Sequence, residues 1–194
     1  WLVADEAFID ATPEHSLAPH CPRPGLIVLR SLGKFFGLAG ARVGFVCAES
    51  SLIEALHSLL GPWTVAAPSR HVAMLALADR GWQETTRHQL IHHGEQLAAL
   101  LAQYGLTPSG GCALFQWVRT PQAATIHEDL ARHGILTRLF NDAQGCASVA
   151  GGWRPGATTP SSLRFGLPGG DSDWTRLAAA LASVCQPEFH VAAR

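Results

Sequence analysis

The chain has 194 residues, 47% of them hydrophobic, and a formal net charge of −1 at pH 7. This balance argues against a protein that binds nucleic acid or an anionic membrane surface, and no apolar run is long enough to cross a bilayer. The apolar content suffices for a substantial core in one or two domains. The five cysteines are scattered, without a C-x-x-C pair, so we expect reduced thiols in a cytoplasmic protein.

The amino-terminal part of the chain alternates predicted strands with predicted helices. Three apolar segments predict strands, over residues 1–8, 25–30 and 41–48. Three further segments predict helices, over residues 52–60, 68–79 and 82–104. Ser50 or Ser51 is expected to cap the first helix, and Pro68 fits the first turn of the second. Residues 9–24 are rich in proline and polar residues and predict a loop.

The rest of the chain predicts a second, smaller α/β unit. Strands are expected over residues 106–108, 112–118, 135–140 and 162–167, and helices over 123–133 and 173–184. Gly134 is expected to cap one helix, and Asp171 or Ser172 the other. Residues 141–160 are rich in glycine, proline, alanine and threonine and predict a loop. The chain is therefore expected to be α/β, with domains over residues 1–84 and 85–194.

A glycine-rich turn, Ser31–Gly44, follows the second predicted strand and contains Lys34, the only lysine among 14 basic residues. A solvated lysine can be replaced by arginine, whereas a lysine that forms a Schiff base cannot, because a guanidinium stays protonated and is a poor nucleophile. Lys34, with Arg42 shortly after it, therefore indicates a lysine that binds pyridoxal phosphate. The alternative is a single remaining lysine in a loop of an arginine-rich chain.

The first predicted strand ends in a carboxylate, Asp5. A pyridoxal-phosphate enzyme needs an acid beside the pyridine nitrogen, because an ionised acid keeps that nitrogen protonated and the ring electron-accepting. Ligands of open α/β sheets gather at the carboxyl ends of strands, where Asp5 and Lys34 are both expected. The alternative role for Asp5 is to cap a loop.

Several motifs resemble the class I/II aminotransferases of fold type I. They are Asp5-Glu6-Ala7-Phe8, Ser31-x-x-Lys34, Arg42-x-Gly44 and Leu163-Arg164-Phe165-Gly166. Within that family, the stretches over residues 5–10, 61–65, 133–140 and 163–169 look like the threonine-phosphate decarboxylase branch of cobalamin biosynthesis. The resemblance implies part of a large-domain mixed sheet, followed by a small α/β sandwich.

The resemblance also implies roles for individual residues. Ser31 and Arg42 would bind the cofactor phosphate, Arg164 the substrate α-carboxylate, and Arg138 a substrate phosphate. The alternatives are helix capping beside a glycine turn for Ser31, a surface ion pair for Arg42, a structural salt bridge for Arg164 and a structural role for Arg138. Phe8 departs from the family, because many members have a tyrosine there whose hydroxyl bonds the cofactor.

The function implied by this resemblance is decarboxylation of L-threonine O-3-phosphate to aminopropanol phosphate by a homodimer. A histidinol-phosphate-type aminotransferase is the nearest alternative, and a non-catalytic folding or dimerisation module is another. Trp1 opens directly inside a predicted strand, so we expect the carboxyl-terminal part of a longer enzyme, inactive alone. His88 and His92 share a helix face but lack an evident third ligand, and no metal site is expected.

Overall fold

A computed structural model of the protein describes residues 1–140 and 161–185. The chain groups into two compact units, Trp1–Ile91 and His92–Arg194. The expected domain boundary after residue 84 stays a prediction, because spatial grouping does not measure independent folding. The loop predicted over residues 141–160 lies outside the described residues. Among the helices that are described, none has both the length and the apolar character that crossing a membrane requires.

The first unit contains a three-stranded mixed sheet. Its strands are β1 (Leu2–Asp5), β2 (Leu26–Ser31) and β3 (Gly44–Cys47), in the order β1-β2-β3. β1 and β2 run parallel, with Asp5 opposite Leu29, whereas β3 is antiparallel to β2. The carboxyl ends of β1 and β2 therefore lie at the same edge of the sheet.

Two strands of this sheet are shorter than predicted. β1 ends at Asp5 because the Ala7 amide donates a hydrogen bond to Asp5 Oδ1 at 3.0 Å, which turns the chain away from the sheet. β3 begins only at Gly44, because Arg42 has a left-handed backbone with φ of 53°. The predicted placement of Arg42 within the strand is therefore wrong.

Three helices follow, as predicted: α1 (Ser50–Leu60), α2 (Ala67–Ala78) and α3 (Arg80–Gln103). The predicted serine cap of α1 is wrong, because Glu49 occupies the capping position and makes no side-chain cap bond. Pro68 lies in the first turn of α2, where its missing amide proton costs nothing. Phe35, Phe36 and Trp82 form an aromatic cluster with ring centroids 5.0–5.8 Å apart.

The second unit contains a four-stranded antiparallel sheet. Its strands are β4 (Gly110–Cys112), β5 (Phe115–Arg119), β6 (Arg138–Phe140) and β7 (Ser162–Gly166), in the order β4-β5-β7-β6. The strand predicted over residues 106–108 is wrong. Gly105 has φ of 76° and the Leu106 amide bonds the Leu101 carbonyl at 3.0 Å, so this segment closes the end of α3.

Helices α4 (Ala123–Arg132) and α5 (Asp171–Val184) complete this unit. Their apolar faces join one core with the sheet and α3, formed by Leu97, Leu101, Leu106, Val118, Ala123, Ile126, Leu130, Leu163, Phe165, Leu177, Ala180 and Leu181. Gly134 ends α4 with φ of 71°, as predicted. The predicted side-chain cap of α5 is wrong, since Gly170 takes that position. The predicted α/β class with two separate sheets is confirmed.

Candidate functional site

The carboxyl ends of β1 and β2 bring several of the predicted site residues to one edge of the first sheet. Asp5 is the last residue of β1, Ser31 is the last residue of β2, and the Lys34 turn follows directly. The parallel register aligns Asp5 with Leu29, two residues before Ser31. This edge is where ligands of open α/β sheets bind.

The Lys34 side chain is exposed, whereas the neighbouring Leu32 and Phe35 are buried and fix the turn. Its Nζ atom lies 5.5 Å from the centroid of the Phe8 ring. An ammonium at this distance from an aromatic face is stabilised by the ring quadrupole. The contact joins the segment after β1 to the turn after β2.

Ser31 caps the lysine turn, because its Oγ accepts a hydrogen bond from the Gly33 amide at 3.0 Å. This bond caps a turn rather than the helix considered as the alternative for Ser31. It uses only a lone pair and leaves the hydroxyl proton able to bond another group. The turn is tight, because a Cβ at Gly33 would lie 3.2 Å from Ser31 Oγ. The geometry is thus compatible with both roles for Ser31.

Arg42 is exposed and follows the short 3₁₀ turn Ala39–Ala41 with a left-handed backbone. A residue with a Cβ pays a conformational cost there, and such strain is common where a side chain must be aimed at a ligand. Within residues 1–140 and 161–185, no carboxylate forms an ion pair with Arg42. The alternative of a surface ion pair therefore gains no support from the described part of the chain.

Asp5 is exposed, and its Oδ1 accepts the Ala7 amide proton. This bond caps the turn after β1, which is the alternative role considered for Asp5. A carboxylate has further lone pairs on both oxygens, so the bond leaves it able to accept from a second donor. Its position at the strand end, rather than this local bond, distinguishes Asp5 from an ordinary loop aspartate.

A buried ionic cluster beneath this edge was not predicted. Arg30 Nη2 pairs with Asp10 Oδ1, and Arg30 Nη1 lies 3.7 Å from Glu6 Oε2. Glu6 also accepts from Ser16 Oγ and from the Leu17 amide, both at 2.6 Å. The available signal was Arg30 at the end of an apolar strand, because a charge in that position requires a partner.

The second unit presents arginines and aromatic rings on one face of its sheet. Arg138 and Arg164 are direct cross-strand partners, and Trp117 lies opposite Arg164 on the other side. Directly opposed residues point to the same face, so these three side chains share the face opposite to buried Leu163 and Phe165.

Each of three arginines on this sheet lies over an aromatic ring. The guanidinium-to-centroid distances are 4.5 Å for Arg119 over Trp117, 5.8 Å for Arg138 over Phe140 and 5.3 Å for Arg164 over Phe115. Neither Arg138 nor Arg164 forms an ion pair with a carboxylate in the described ranges. Stacked guanidinium groups keep their in-plane donors available, so this face can bind anions. The described residues contain no cluster of three metal-binding side chains.

Two curated proteins are similar in sequence to this chain over most of its length. Threonine-phosphate decarboxylase of Pseudomonas aeruginosa is 49% identical over 187 residues, which cover 96% of this chain and 51% of that protein. Histidinol-phosphate aminotransferase of Shewanella oneidensis is 36% identical over 151 residues, covering 73% of this chain and 38% of that protein. The chain thus spans about half the length, or less, of the curated relatives it matches.

The solved structures agree with the fold. Histidinol-phosphate aminotransferase from Sinorhizobium meliloti, in complex with pyridoxal-5'-phosphate, superposes with a TM-score of 0.74 at 24% identity, covering 95% of this chain and 48% of that one. A family profile described as aminotransferase class I and II matches residues 1–181. The chain belongs to the class I and II aminotransferase family.

Proposed function

We propose that this chain carries the catalytic lysine of a pyridoxal-phosphate enzyme that decarboxylates L-threonine O-3-phosphate. The observation that carries the proposal is the position of Lys34, the sole lysine of the chain, on a turn at the carboxyl ends of two parallel strands. An exposed amine at this edge can reach a ligand bound there. The 49% identity to a threonine-phosphate decarboxylase supports the choice of reaction.

The residues at this edge fit the chemistry of pyridoxal phosphate. The Lys34 amine can bond the cofactor carbonyl carbon, and Asp5 can accept from a protonated pyridine nitrogen. The Ser31 hydroxyl and the Arg42 guanidinium are donors of the kind that bind phosphate oxygens. Space is restricted near Gly44, where a Cβ would lie 3.1 Å from the Arg30 carbonyl oxygen. Amine, acid and phosphate donors are thus all supplied by the described residues.

The arginines of the second sheet fit a substrate with two anionic groups. Arg138 and Arg164 lie directly opposite each other on neighbouring strands. Like charges in such a pair destabilise a sheet. A bound anion relieves that repulsion, and threonine phosphate brings both a carboxylate and a phosphate. We assign Arg164 to the carboxylate and Arg138 to the phosphate.

Orientation of the carboxylate decides which bond breaks. Bound pyridoxal phosphate supplies a conjugated ring that accepts the electron pair released at the substrate α-carbon. Arg164 would orient the bond between the α-carbon and the carboxylate, and a bond held perpendicular to a conjugated ring is the one that breaks, here with loss of carbon dioxide. Lys34 would then deliver a proton to the α-carbon, and the product would be aminopropanol phosphate, an intermediate for cobalamin biosynthesis.

Transfer of the amino group is the second candidate function. It is favoured by the 36% identity to a histidinol-phosphate aminotransferase. In that reaction Lys34 would remove a proton from the α-carbon, with no carboxylate lost. The residues that would hold the cofactor are the same in both reactions, so the two candidates differ in the substrate and in which bond at its α-carbon breaks.

The test is a product assay on the full-length gene product with pyridoxal phosphate. L-threonine O-3-phosphate labelled at its carboxyl carbon is expected to release labelled carbon dioxide, and K34A is expected to release none. Histidinol phosphate with a 2-oxo acid is expected to yield little amino transfer. Dependence on the 2-oxo acid, without release of carbon dioxide, would replace the decarboxylase proposal with the aminotransferase. Absence of both reactions would leave the non-catalytic module.

We further propose a cytoplasmic homodimer. The support for association is the set of large apolar side chains exposed in the first unit, among them Trp1 at 82%, Leu59 at 82% and Trp63 at 89% exposure. The cysteines in the described residues, Cys21, Cys47, Cys112 and Cys185, are free thiols, as a reducing compartment favours. Light scattering on the full-length protein should give twice the monomer mass, and a monomer would contradict the dimer.

A further inference from the structure

We propose that Arg30 is a positioning residue for Lys34. It fastens both ends of the Glu6–Asp10 segment to β2 and thereby holds the Phe8 ring against the Lys34 amine. This inference rests on the proposed function, because it assigns a role at the lysine of that site.

The Arg30 guanidinium bridges the two ends of the Glu6–Asp10 segment. Arg30 pairs with Glu6 at one end and with Asp10 at the other, and each carboxylate residue is only 7% exposed. Phe8 lies midway between these two anchors. Because Arg30 pairs with both ends, it contributes to the position of the Phe8 ring, alongside the hydrogen bonds that Glu6 accepts from Ser16 and Leu17.

The Glu6–Asp10 segment also contacts Lys34, through the Phe8 ring. Lys34 Nζ lies 5.5 Å from the Phe8 ring centroid, and Arg30 immediately precedes Ser31 at the end of β2. One strand end thus carries both the bridging guanidinium and the turn that holds the amine. Any movement of the Glu6–Asp10 segment away from β2 separates Phe8 from Lys34.

A second arginine strengthens the same connection. Arg87 Nε donates to the Asp10 carbonyl oxygen at 2.8 Å, and its guanidinium lies 5.4 Å from the centroid of Phe35, the residue after Lys34. The cluster therefore balances two carboxylates with two guanidinium groups, as buried charges require. Arg87 donates to the backbone of the Glu6–Asp10 segment, whereas Arg30 forms ion pairs with the carboxylates at both ends of that segment.

The alternative is that Arg30 merely stabilises the fold. Its Nε–H group is buried and has no hydrogen-bond partner among the described residues. An unsatisfied buried donor is unfavourable for stability, so a stabilising role alone does not account for this arrangement. A positioning role accounts for the unpaired Nε–H group, because the Arg30 guanidinium must be oriented so that it reaches both the Glu6 and the Asp10 carboxylate.

The test measures the Lys34 amine directly in the apoprotein of the full-length gene product. The protein is labelled at neutral pH with a small amine-specific reagent, and modification of the Lys34 peptide is quantified by mass spectrometry. The Phe8 ring lies 5.5 Å from the Lys34 Nζ atom and attracts it, so removing or displacing the ring should free the amine to meet the reagent. F8L and R30M should each raise the labelling rate about two- to fivefold, the factor expected when an exposed cation–π contact is lost.

The double variant F8L/R30M separates positioning from general destabilisation. If Arg30 acts through Phe8, then R30M should cause no further increase in labelling in the F8L background. R132M, which removes a surface pair with Asp129 in the second unit, is the control and should leave Lys34 labelling unchanged. An unchanged labelling rate in folded R30M, or the same increase with and without Phe8, would overturn the proposal.

R30K keeps the inference testable if R30M fails to fold. Lysine retains the positive charge but is a point charge without a planar fork, so it cannot hold both carboxylates as arginine does. We expect R30K to raise labelling by a smaller factor, again only when Phe8 is present, and no change in R30K would overturn the proposal. Because no cofactor is used, these outcomes are independent of whether Lys34 binds pyridoxal phosphate, which a separate trapping experiment decides.

Discussion

Arg138 and Arg164 face each other directly across β6 and β7, so that two guanidinium groups occupy one cross-strand pair. Each lies over an aromatic ring, and neither pairs with a carboxylate within the described ranges. Such a pair is unfavourable without an anion, because opposed like charges repel. The arrangement is therefore expected to be less stable alone than with a phosphate or carboxylate bound.

A double-mutant cycle measures this repulsion. R138M, R164M and the double variant should give a repulsive coupling of about 0.2–1 kcal/mol in the free energy of unfolding, measured with denaturant at low salt. The coupling should shrink when salt or inorganic phosphate is added, because both screen the two charges. A coupling that is zero or attractive at low salt would contradict the assignment.

We expect the strained backbone of Arg42 to be retained because its side chain binds a ligand. Its left-handed backbone costs an L-residue about 1–2 kcal/mol, and glycine avoids most of that cost while losing more entropy on folding. R42G should therefore leave the free energy of unfolding of the apoprotein unchanged or raise it by up to about 1 kcal/mol.

The same substitution should weaken binding of pyridoxal phosphate about 10- to 100-fold, the loss expected for a charge-assisted hydrogen bond. R42K is the matched control, because it keeps the charge and the Cβ and should have intermediate affinity. Equilibrium dialysis and denaturant unfolding check the two effects. If R42G bound the cofactor as tightly as the parent protein, Arg42 would have no part in the phosphate site.

A substitution at Asp5 can distinguish its role in the turn after β1 from its role as a charged group. D5N keeps a side-chain oxygen that can accept the Ala7 amide, so the turn after β1 should persist. Its loss of charge should lower kcat/KM for decarboxylation about 100- to 1000-fold, as when a preorganised electrostatic contact is removed. E14Q, at an exposed residue, is the control. A D5N variant within a few-fold of the parent enzyme would exclude Asp5 as the partner of the pyridine nitrogen.

Cys21 should give the first unit an alkaline sensitivity. Burial raises the pKa of the Cys21 thiol above its usual value of 9.0, and the neighbouring Cys47 and Glu6 raise it further. The Cys21 thiol also donates to the Cys47 carbonyl oxygen at 3.5 Å. The folded protein thus keeps this proton at pH values where the unfolded chain loses it.

This contribution to stability is fully present below the unfolded pKa and is lost as the pH rises through the folded one. In the folded protein, the rate of Cys21 alkylation should therefore rise to half its maximum above pH 9.0. C21S should lose less stability than the parent protein over that alkaline range. A midpoint at or below pH 9.0 would show that the folded state does not disfavour the thiolate.

Periodicity sufficed for elements whose packing is local. The apolar run before Lys34 forms β2, and the segments predicted as α1, α2 and α3 are helices within a few residues of their expected ends. Asp5 and Lys34 were both expected at strand ends, and the parallel pairing of β1 and β2 brings those ends to one edge of the sheet. β2 buries Leu26 and Val28, as its apolar run predicts, whereas α1 has no buried residue and was indicated by its helical periodicity alone.

The errors arose where one hydrogen bond decides the backbone. The Asp5 side chain ends β1 early by bonding Ala7, and the Leu106 amide closes α3 where a strand was expected. The cluster of Arg30 with Glu6 and Asp10 joins residues distant in sequence, so no local pattern reveals it. Only the unusual position of Arg30, at the end of an apolar strand, indicated that a partner was needed.

Reductive trapping tests most directly whether Lys34 is the residue that binds the cofactor. The full-length gene product is mixed with pyridoxal phosphate, reduced with borohydride and digested, and the modified peptides are identified by mass spectrometry. We expect a pyridoxyl group on Lys34, absent from K34A and from K34R because a guanidinium does not form the bond. Modification elsewhere with Lys34 intact, or no modification at all, would contradict the assignment.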